Sequence, residues 1–367
     1  MRIGIEGLPL MFHRTGTSTY THELVQHLRG LHLGDTVILF GRNQRGAGKS
    51  YHDISYPERA ANLFYKEYRL PLELAGQRID VYHAPRDMGL PSPARLPCPC
   101  VMTLHDIILV RKAGDYYSRA RARLYERRLR SRVETADHII TVSQFSRGDI
   151  LDWSGIDPHK VSVVYNGVSQ KFRPLDDEDL LEEVRRRYGL PRRFVVCLGS
   201  TEPRKNIRDA IKAFAELRRL EPGVSLVVTG VGYRRVEPGQ AFAGLPLDGV
   251  LFAGYVSDMD MPAVLNLAEL LFFPSLYEGF GLPPLEAMAC GTPVVAANAT
   301  SIPEVVGEGA FLVSPKNIAE LAGALEMVLN SDDLRAELIK KGFERAAQFR
   351  WAKTAMETRK IYERVLG

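Results

Sequence analysis

Short runs of apolar residues recur along the whole chain, and longer stretches of mixed polarity separate them. The first half contains "RIGIEG", "DTVILF", "IDVYHA", "CVMTLHD", "DHIITVS" and "KVSVVYNG". The second half contains "FVVCLGS", "VSLVVTG", "GVLFAG", "ELLFFPS", "TPVVAAN" and "AFLVSP". Most of these runs are continuously apolar rather than alternating, which indicates parallel strands that are covered on both faces. Strand and helix patterns alternate in both halves, and this predicts two doubly wound, Rossmann-like α/β domains.

The predicted boundary between the domains lies in a polar segment that is punctuated by prolines, Lys171–Arg193. We interpret it as a linker followed by a helix that opens the second domain. The domains would then cover residues 1–172 and 173–349, which suits a chain of 367 residues. The amphipathic tail 350–367 has one apolar side and no strand after it. We expect this tail helix to pack back on the first domain.

The composition is that of an ordinary soluble globular protein, with 45% hydrophobic and 25% charged residues. No apolar run is long enough to span a bilayer, and the first residues lack a signal-peptide pattern. The four cysteines show no metal-ligand spacing, which favours a reducing compartment. We therefore expect a cytoplasmic protein.

Two cations follow the first strand of the second half, in "LGSTEPRKNI". Ligands of open parallel sheets bind beyond the carboxyl ends of the strands, and with two such domains the two crevices would face one another across a cleft. Arg204 and Lys205 stand at such an end, and Asn206 is a suitable N-cap for the helix that follows. This arrangement predicts a phosphate clamp. The alternative is a pair of solvated charges at the start of a helix.

The stretch "EGFGLPPLEAMACG" places two carboxylates around glycines and prolines. The prolines fit the first turn of a helix that ends near Gly291. Gly279 and Gly281 let the backbone approach a ligand, and the amides of 280–282 favour an anion. Glu286, inside the helix, would reach a polyol such as a ribose. Glu278 could also be a charge that favours the helix dipole, and Glu286 an ordinary helix residue.

Taken together, these stretches resemble the family 4 retaining glycosyltransferases of the GT-B fold. The glutamate–seven–glutamate pattern is present as "EGFGLPPLE", with "LGSTEPRKNI" and "GTPVVAANATSIPEVVG" at the expected places. The resemblance implies transfer of a hexose, of mannose or glucose type, from a nucleotide diphosphate sugar to a glycan or lipid-linked saccharide. It implies GDP-mannose or a UDP-hexose as donor and a role in bacterial polysaccharide or lipopolysaccharide assembly. The first domain would bind the acceptor, and the second would bind the donor.

The same resemblance assigns roles to individual residues. Arg204 and Lys205 would bind the donor diphosphate, Glu286 the ribose, and Glu278 the donor sugar. In the first half, "EGLPLMFHRTGTSTYTHEL" places Gly16 and Thr17 in a loop that opens a helix, and "TLHDI" places His105 near the sugar. The implied catalytic residues are His105, Glu278, Arg204 and Lys205. The implied donor contacts are Gly16, Arg204, Lys205, Tyr255, Val256, Glu278, Gly279, Phe280, Gly281, Leu282 and Glu286.

Two further motifs have competing interpretations. "SRARARLYERRLRSR" contains seven arginines between Arg119 and Arg132 and predicts either a solvated helix face or an interfacial helix. The second reading would place the protein on the anionic inner face of the plasma membrane, or against an acidic acceptor. Nothing else in the chain supports nucleic-acid binding. "SDMDM" has the spelling of a metal-binding carboxylate pair, but we interpret Ser257 or Asp258 as a helix cap and expect no metal cofactor.

Several other functions remain open at this point. A glycoside hydrolase also uses two carboxylates, although it needs no diphosphate clamp. A nucleotide-sugar epimerase of similar fold and a non-catalytic sugar-nucleotide-binding protein are further alternatives. An NAD-dependent dehydrogenase is disfavoured because no G-x-G-x-x-G follows an early strand.

Overall fold

The computed structural model describes residues 1–11, 15–41, 62–91, 96–116, 118–230 and 241–367. The chain divides into two compact units, which we call unit 1 (Met1–Gly167 with Arg350–Gly367) and unit 2 (Val168–Phe349). The division lies slightly before the boundary that the sequence indicates. The reason is that the Val168 amide donates to the Phe349 carbonyl at 3.0 Å, and Lys171 donates to the Asp258 carbonyl at 2.8 Å. These bonds attach the start of the linker to unit 2.

Unit 1 is built on a six-stranded sheet in the order β2-β1-β3-β4-β5-β6. Every pairing is parallel, as in Ile3 opposite both Val37 and Val81. The strands are β1 (Arg2–Glu6), β2 (Thr36–Phe40), β3 (Val81–Ala84), β4 (Cys100–Thr103), β5 (His138–Thr141) and β6 (Val161–Val163). The helices are α1 (Gly16–Gly30), α2 (Leu70–Gly76, continuing a π-helical turn Tyr65–Arg69), α3 (Ile108–Arg111), α4 (Arg119–Thr135), α5 (Gln144–Ser154) and the last helix of the chain, Trp351–Leu366.

Unit 2 has a second parallel sheet, in the order β12-β11-β10-β7-β8-β9. Its strands are β7 (Phe194–Leu198), β8 (Ser225–Thr229), β9 (Val250–Gly254), β10 (Leu270–Phe273), β11 (Val294–Ala297) and β12 (Phe311–Val313). Its helices are α6 (Glu178–Tyr188), α7 (Ile207–Leu220), α8 (Met261–Leu267), α9 (Leu282–Cys290), α10 (Ile302–Val306), α11 (Ile318–Asn330) and α12 (Asp332–Ala346). All the strands predicted for the two halves are present, and so is the helix that follows the linker.

The core of unit 2 explains why its strands are continuously apolar. All four residues of β10 are fully buried, because helices cover both faces of the sheet. On one face, α7 contributes Ile211, Phe214 and Leu217, and α11 contributes Leu325. Full burial of each such side chain contributes about 1.5–3 kcal/mol.

The tail helix, numbered α13 (Trp351–Leu366), belongs to unit 1. The predicted apolar side is confirmed, since Trp351, Ala355, Ile361 and Tyr362 are buried. Its polar side is attached as well, because Arg359 donates to the Asp35 carboxylate at 2.5 Å. In the part of the chain that the structure describes, no helix is both long enough and apolar enough to cross a membrane.

Candidate functional site

The strand order of unit 2 reverses between β7 and β10. From β7 the chain continues outward to β8 and β9, whereas β10 returns to the other side of β7 and leads to β11 and β12. Ligands of doubly wound sheets bind beyond the carboxyl ends of the strands at such a reversal. Arg204 and Lys205 follow β7, and Glu278 follows β10. Three of the predicted site residues therefore share this point of the fold.

Arg204 and Lys205 lie in one short 3₁₀ turn, Pro203–Lys205, between β7 and α7. The Arg204 carbonyl accepts a hydrogen bond from the Leu276 amide at 2.7 Å, which joins this turn to the loop after β10. The Arg204 guanidinium donates to the Glu202 carboxylate at 2.7 Å. The Lys205 ammonium lies 5.3 Å from the centre of the Phe273 ring. The backbone and the side chains thus hold both cations in place.

The Glu278 carboxylate lies between the two cations. One of its oxygens accepts from Arg204 at 2.9 Å and the other from Lys205 at 2.7 Å. The side chain is only 13% exposed. Burial by itself raises the pKa of this carboxyl, but the charges of Lys205 and Arg204 outweigh burial and hold the pKa below its usual value. Glu278 is therefore ionised at neutral pH, and two cations share one buried carboxylate.

The loop that carries Glu278 is held by two hydroxyl residues after β11, which the sequence analysis missed. The Thr300 hydroxyl accepts from the Glu278 amide at 3.1 Å, and the Ser301 hydroxyl lies 2.8 Å from the carbonyls of both Glu278 and Phe280. Thr300 has a φ of 54°, a left-handed conformation that is rare for a β-branched residue. Two adjacent hydroxyls shortly after a buried strand were the signal that could have identified them.

Helix α9 begins immediately after this loop. Gly281 occupies its N-cap position with a φ of 120°, and no side chain caps it there. A Cβ on Gly281 would meet nothing within 4 Å, so the backbone conformation rather than crowding requires glycine. Prolines occupy the first turn and Gly291 ends the helix in the left-handed conformation, as predicted. The first amides of α9 therefore form a helix N-terminus of the kind that binds anions.

The other predicted residues of this stretch are close in sequence but differ in environment. Gly279 and Phe280 are buried, and Leu282 is half-buried at the start of α9. Glu286 is half-buried on the next turn. Burial raises the pKa of the Cys290 thiol, one turn further along, to about 12. The charge of Glu286 is the second cause of that increase. The Cys290 sulfur lies 4.0 Å from the Pro262 carbonyl, so this side of α9 is turned towards α8.

Of the predicted helix caps in unit 2, Asn206 is wrong in its side-chain contacts. Asn206 occupies the N-cap position of α7, but its amide donates to the Pro315 carbonyl at 2.8 Å and does not cap. Helix α8 begins at Met261 with Asp260 at its N-cap position, but the Ser257 hydroxyl accepts from the Asp260 amide at 3.1 Å, as predicted for a cap, in the turn that leads into the helix. The Asp260 side chain does not cap the helix. Its oxygens accept from Arg187 at 2.8 and 2.9 Å and from the Tyr188 hydroxyl at 2.7 Å.

These contacts also bear on the "SDMDM" motif. Burial by itself raises the Asp260 pKa, but the hydrogen bonds from Tyr188 and the charge of Arg187 outweigh it and hold the pKa below its usual value. The carboxylate is therefore ionised and already neutralised by a cation. Within the described ranges, no group of three or more His, Cys, Asp or Glu side chains is arranged to hold a metal ion.

The predicted base contacts, Tyr255 and Val256, directly follow β9. The Val256 side chain is only 4% exposed, whereas Tyr255 is half-buried. These two residues and the cations lie at the same carboxyl end of the sheet. The strand ends there are joined, because the Gly199 amide donates to the Thr229 carbonyl at 2.8 Å and the Gly230 amide to the Gly254 carbonyl at 2.9 Å.

In unit 1, the prediction of a loop around Gly16 and Thr17 is wrong. Both residues lie inside α1, and the Thr15 hydroxyl caps this helix by accepting from the Ser18 amide at 3.3 Å. The helix therefore starts earlier than expected, because Thr15 rather than a later residue provides the cap. Residues 12–14 of the quoted motif lie outside the described part of the chain.

His105 follows β4 in unit 1. Its Nε2 lies 3.1 Å from the Pro85 carbonyl oxygen, and its ring packs edge-on against Tyr20 with centres 4.9 Å apart. Because a carbonyl can only accept, Nε2 carries the hydrogen and Nδ1 has the lone pair in the neutral ring. Burial lowers the His105 pKa, although the bond to Pro85 and the charge of Asp87 act in the opposite direction. His105 is therefore a neutral imidazole whose Nδ1 can accept a hydrogen bond.

A buried polar chain lies beside His105 and was not predicted. His83 Nε2 lies 2.8 Å from the Thr103 hydroxyl, which lies 2.9 Å from the Tyr20 hydroxyl. On its other side, His83 Nδ1 lies 2.6 Å from the Tyr362 hydroxyl of α13. Burial lowers the pKa of His83 to about 3. The chain fixes Tyr20 against His105 and attaches α13 to the sheet.

The arginine-rich segment forms α4, with Ser118 as its cap. Arg132 is 4% exposed and donates to the carbonyls of Leu90 and Arg128, so it is a structural residue and not part of a charged surface. Arg130 is exposed but pairs with Glu126 at 3.2 Å and lies over the Trp153 ring. The remaining exposed arginines of α4 are Arg119, Arg121, Arg123, Arg127 and Arg128.

Two family profiles match the chain, one in each half. Residues 182–345 match "Glycosyl transferases group 1", and residues 14–172 match "Glycosyltransferase Family 4". O-antigen chain mannosyltransferase B of Escherichia coli is 29% identical, over 99% of this chain and 100% of that protein. MMP alpha-(1->4)-mannosyltransferase of Mycolicibacterium hassiacum is 32% identical, over 80% of this chain and 73% of that protein.

Serotype-specific mannosyltransferase WbdA of Escherichia coli is 32% identical over 71% of this chain, but the match spans only 33% of that longer protein. Among solved structures, sucrose-phosphate synthase of Thermosynechococcus elongatus superposes with a TM-score of 0.79 at 21% identity, over 100% and 99% of the two chains. Anabaena Alr3699/HepE, solved with UDP-glucose, gives 0.74 at 21% identity over 99% of both chains. These structures establish the two-domain α/β GT-B fold.

Proposed function

The chain belongs to the family 4 glycosyltransferases, and from this premise we propose that it is a retaining hexosyltransferase that uses a nucleotide diphosphate sugar. The observation that carries the proposal is the cluster of Arg204, Lys205 and Glu278 beside the N-terminus of α9. Two cations in fixed positions and a helix N-terminus without a side-chain cap match an anion with two adjacent phosphates. A glycoside hydrolase would have no use for this clamp.

The relatives favour mannose as the transferred sugar, since all three bear the name of a mannosyltransferase. We propose GDP-mannose as the first donor to test and a UDP-hexose as the second. The acceptor would be a glycan or a lipid-linked saccharide in bacterial polysaccharide or lipopolysaccharide assembly. The O-antigen role in the name of one relative supports that context.

In the proposed reaction, the bond between the anomeric carbon and the diphosphate oxygen breaks, and negative charge grows on the leaving diphosphate. Arg204, Lys205 and the first amides of α9 stabilise this charge, and preorganised electrostatics of this kind is usually the largest contribution to catalysis. The acceptor hydroxyl bonds to the anomeric carbon on the same face. Its proton passes to an oxygen of the leaving diphosphate, so the step needs no nucleophile from the protein.

The remaining site residues would position the substrate. Glu278 would accept hydrogen bonds from hydroxyls of the donor sugar, and Glu286 from the ribose. His105 would accept one through Nδ1, since its Nε2 is engaged by Pro85. Gly16 would contribute an amide of the α1 N-terminus.

We further propose that transfer needs no metal ion. The cations and the α9 amides would supply the charge that a metal provides in other nucleotide-sugar enzymes. The contacts of Asp260 with Arg187 and Tyr188 support this, because they engage the carboxylate that a metal-binding pair would need.

The test of the donor proposal is a panel of nucleotide sugars, first by thermal shift and then by transfer. We expect one nucleotide sugar to raise the melting temperature and to act as donor to a saccharide acceptor, with the anomeric configuration retained in the NMR spectrum of the product. Conversion of the donor without any acceptor would instead identify an epimerase. Binding without turnover on a broad acceptor panel would identify a non-catalytic protein.

We propose that α4 brings the protein to the inner face of the plasma membrane through its exposed arginines. Reversing these charges should abolish sedimentation with phosphatidylglycerol vesicles and leave donor binding intact. The four changes are Arg121→Glu, Arg123→Glu, Arg127→Glu and Arg128→Glu. A matched control reverses four exposed cations elsewhere: Arg192, Arg219, Lys340 and Lys360. Unchanged sedimentation of the α4 variant would show that the exposed side of this helix is an ordinary solvated face.

A further inference from the structure

Asp260 is a buried carboxylate that the proposed chemistry does not use. It is 7% exposed, and its contacts come from the last two residues of α6, Arg187 and Tyr188. These partners are more than seventy residues earlier in the chain. Arg187 is 47% exposed, but removing these partners would leave the buried Asp260 charge uncompensated, which is costly. Arg187 and Tyr188 therefore hold Asp260, and with it the neighbouring backbone, in one position.

The Tyr188 hydroxyl connects both ends of the turn Ser257–Asp260. It donates to the Asp260 carboxylate at 2.7 Å and accepts from the Ser257 amide at 3.1 Å. The Ser257 hydroxyl accepts from the Asp260 amide at 3.1 Å and closes the turn internally. Lys171 adds a bond to the carbonyl of Asp258 at 2.8 Å. Side chains from distant parts of unit 2 thus immobilise the turn that directly follows Tyr255 and Val256.

Between this turn and the cation pair, the carboxyl end of the sheet consists of backbone without side chains. Glycines stand at the carboxyl ends of β7, β8 and β9: Gly199, Gly230 and Gly254. A Cβ on Gly230 would lie 1.5 Å from the Gly199 carbonyl oxygen, so no larger residue fits there. Two strand spacings separate the ends of β7 and β9, which is about 10 Å. A nucleoside diphosphate held at Arg204 and Lys205 could therefore lie along this edge with its base at the turn.

We propose that Tyr188 and Asp260 are positioning residues for the nucleotide base. They hold the turn after β9, so that Tyr255 and the backbone of the buried Val256 present a fixed surface to the base. This inference rests on the proposed function, since it takes a nucleotide as the ligand. It assigns a role to the carboxylate motif that is neither metal binding nor helix capping.

The test separates binding of the base from binding of the phosphates. Tyr188→Phe keeps the ring and removes the bonds to Asp260 and Ser257, and Asp260→Asn is a second variant in case the first folds poorly. Calorimetry would measure affinity for GDP, UDP and ADP in turn, and for inorganic pyrophosphate. We expect affinity for the preferred nucleoside diphosphate to fall about tenfold, as for loss of a hydrogen bond to a charged group. We also expect pyrophosphate affinity to stay the same, and KM for the donor to rise at unchanged kcat.

Glu183→Gln is the matched control. Glu183 pairs with the same Arg187 but does not contact the turn, so its loss should leave all four affinities unchanged. Equal losses for pyrophosphate and nucleotide in Tyr188→Phe and Asp260→Asn would overturn the inference, because they would indicate general loosening of unit 2. No loss in either variant would overturn it as well. A parent protein that binds pyrophosphate but no nucleoside diphosphate would instead overturn the proposed function, and the inference with it.

Discussion

Both units have an arginine–carboxylate pair where the strand order of the sheet reverses, but the two pairs are built differently. In unit 1 the reversal lies between β1 and β3, and there Arg86 contacts both oxygens of Glu6 at distances of 2.6–3.0 Å. One cation neutralises one carboxylate. In unit 2, Glu278 is shared by Arg204 and Lys205. Arg204 also contacts Glu202, which is 49% exposed. A closed pair stabilises the fold, whereas an exposed carboxylate on a cation can be replaced by an anionic ligand at little cost.

Helix capping distinguishes the candidate site even within unit 2, because α6, α11 and α12 are capped by Asp177, Asn317 and Ser331, whereas the helices beside the site are not. In unit 1, hydroxyl side chains cap α1, α4 and α5, through Thr15, Ser118 and Ser143. In unit 2, the helices that follow β7, β9, β10 and β11 have no side-chain cap. Residues suited to capping occupy three of those positions, but Asn206 and Ser301 contact loops instead, and Asp260 contacts the end of α6. The difference teaches that the side chains of unit 2 hold the loops of the candidate site, at the expense of local helix stability.

The largest effect should come from the two arginines. Arg204→Ala should lower kcat/KM about a hundred- to a thousandfold, since it removes a charge that stabilises the leaving group. Arg86→Ala, the matched change in unit 1, should instead lower the free energy of unfolding by about 3–5 kcal/mol, because it leaves Glu6 buried without its partner. Steady-state kinetics and denaturant unfolding of both variants would measure this. If Arg86→Ala, assayed below its unfolding temperature, lost turnover as Arg204→Ala does, the distinction between the units would be wrong.

Glu278→Gln should separate turnover from binding. Turnover should fall about a hundredfold, since a misplaced sugar reacts slowly. Affinity for the free nucleoside diphosphate should rise about fivefold, because the carboxylate no longer competes for Arg204 and Lys205 at a cost of roughly 1 kcal/mol. Calorimetry beside transfer rates would test both parts. Weaker nucleotide binding in this variant would show that Glu278 itself holds the nucleotide.

Glu286→Ala should have the opposite signature. It removes a carboxylate that would accept hydrogen bonds from the ribose, and loss of such a bond weakens nucleotide affinity about ten- to a hundredfold. Pyrophosphate, which has no ribose, should bind as tightly as before. Equal loss for both ligands would contradict the ribose assignment.

Acid should destabilise unit 1 before unit 2. All nine histidines lie in the first 159 residues, and unit 2 contains none. Burial lowers the pKa of His83 to about 3 and of His138 to about 4, whereas the unfolded chain binds those protons below about pH 6.5. Unfolding is therefore favoured as pH falls from 7 to 5, by about 2 kcal/mol for a group like His83, and stability returns above pH 6.5.

Hydrogen exchange at each pH would follow the two units separately. His83→Gln should flatten the pH dependence of unit 1, although it lowers stability at neutral pH. His159→Gln, at an exposed position, should leave the pH dependence unchanged. Parallel loss of protection in both units between pH 6.5 and 5 would contradict this account.

The smallest expected effect is that of a chelator. We expect excess EDTA to leave the transfer rate unchanged, because cationic side chains and helix amides would supply the charge at the diphosphate. Loss of activity that magnesium or manganese restores would require another account of unit 2. A phosphatase that needs a metal, assayed in the same buffer, would confirm that the chelator acts.

The strands and the ends of α9 could be predicted because their signals are local. A continuous apolar run specifies a buried strand, and prolines followed eight residues later by Gly291 specify a short helix wherever it lies. The Asn206 cap was wrong because a cap residue forms its contacts in three dimensions. The Asn206 side chain donates to the carbonyl of Pro315, which is far away in the chain. Propensity alone favours capping and contains no information on such competitors.

The candidate site was predictable to the same extent. The sequence places Arg204, Lys205 and Glu278 at strand ends, and the parallel order of β7 and β10 makes them neighbours. It does not indicate that Thr300 and Ser301 support the Glu278 loop, nor that Tyr188 supports the turn after β9. Those contacts depend on which loops meet above the sheet, which no local pattern specifies. The substrate roles of these residues remain predictions.

The position of α13 has a consequence for synthesis. This helix completes unit 1, yet the ribosome makes it only after the whole of unit 2. At about 5–20 residues per second, roughly ten to forty seconds pass between the two parts. During this interval the His83 imidazole and the Tyr20 ring lack their partners Tyr362 and Trp351. The nascent first half thus has all six strands but lacks the helix that packs against Tyr20 and His83, and we expect a chaperone that shields apolar surfaces to act on it until α13 is made.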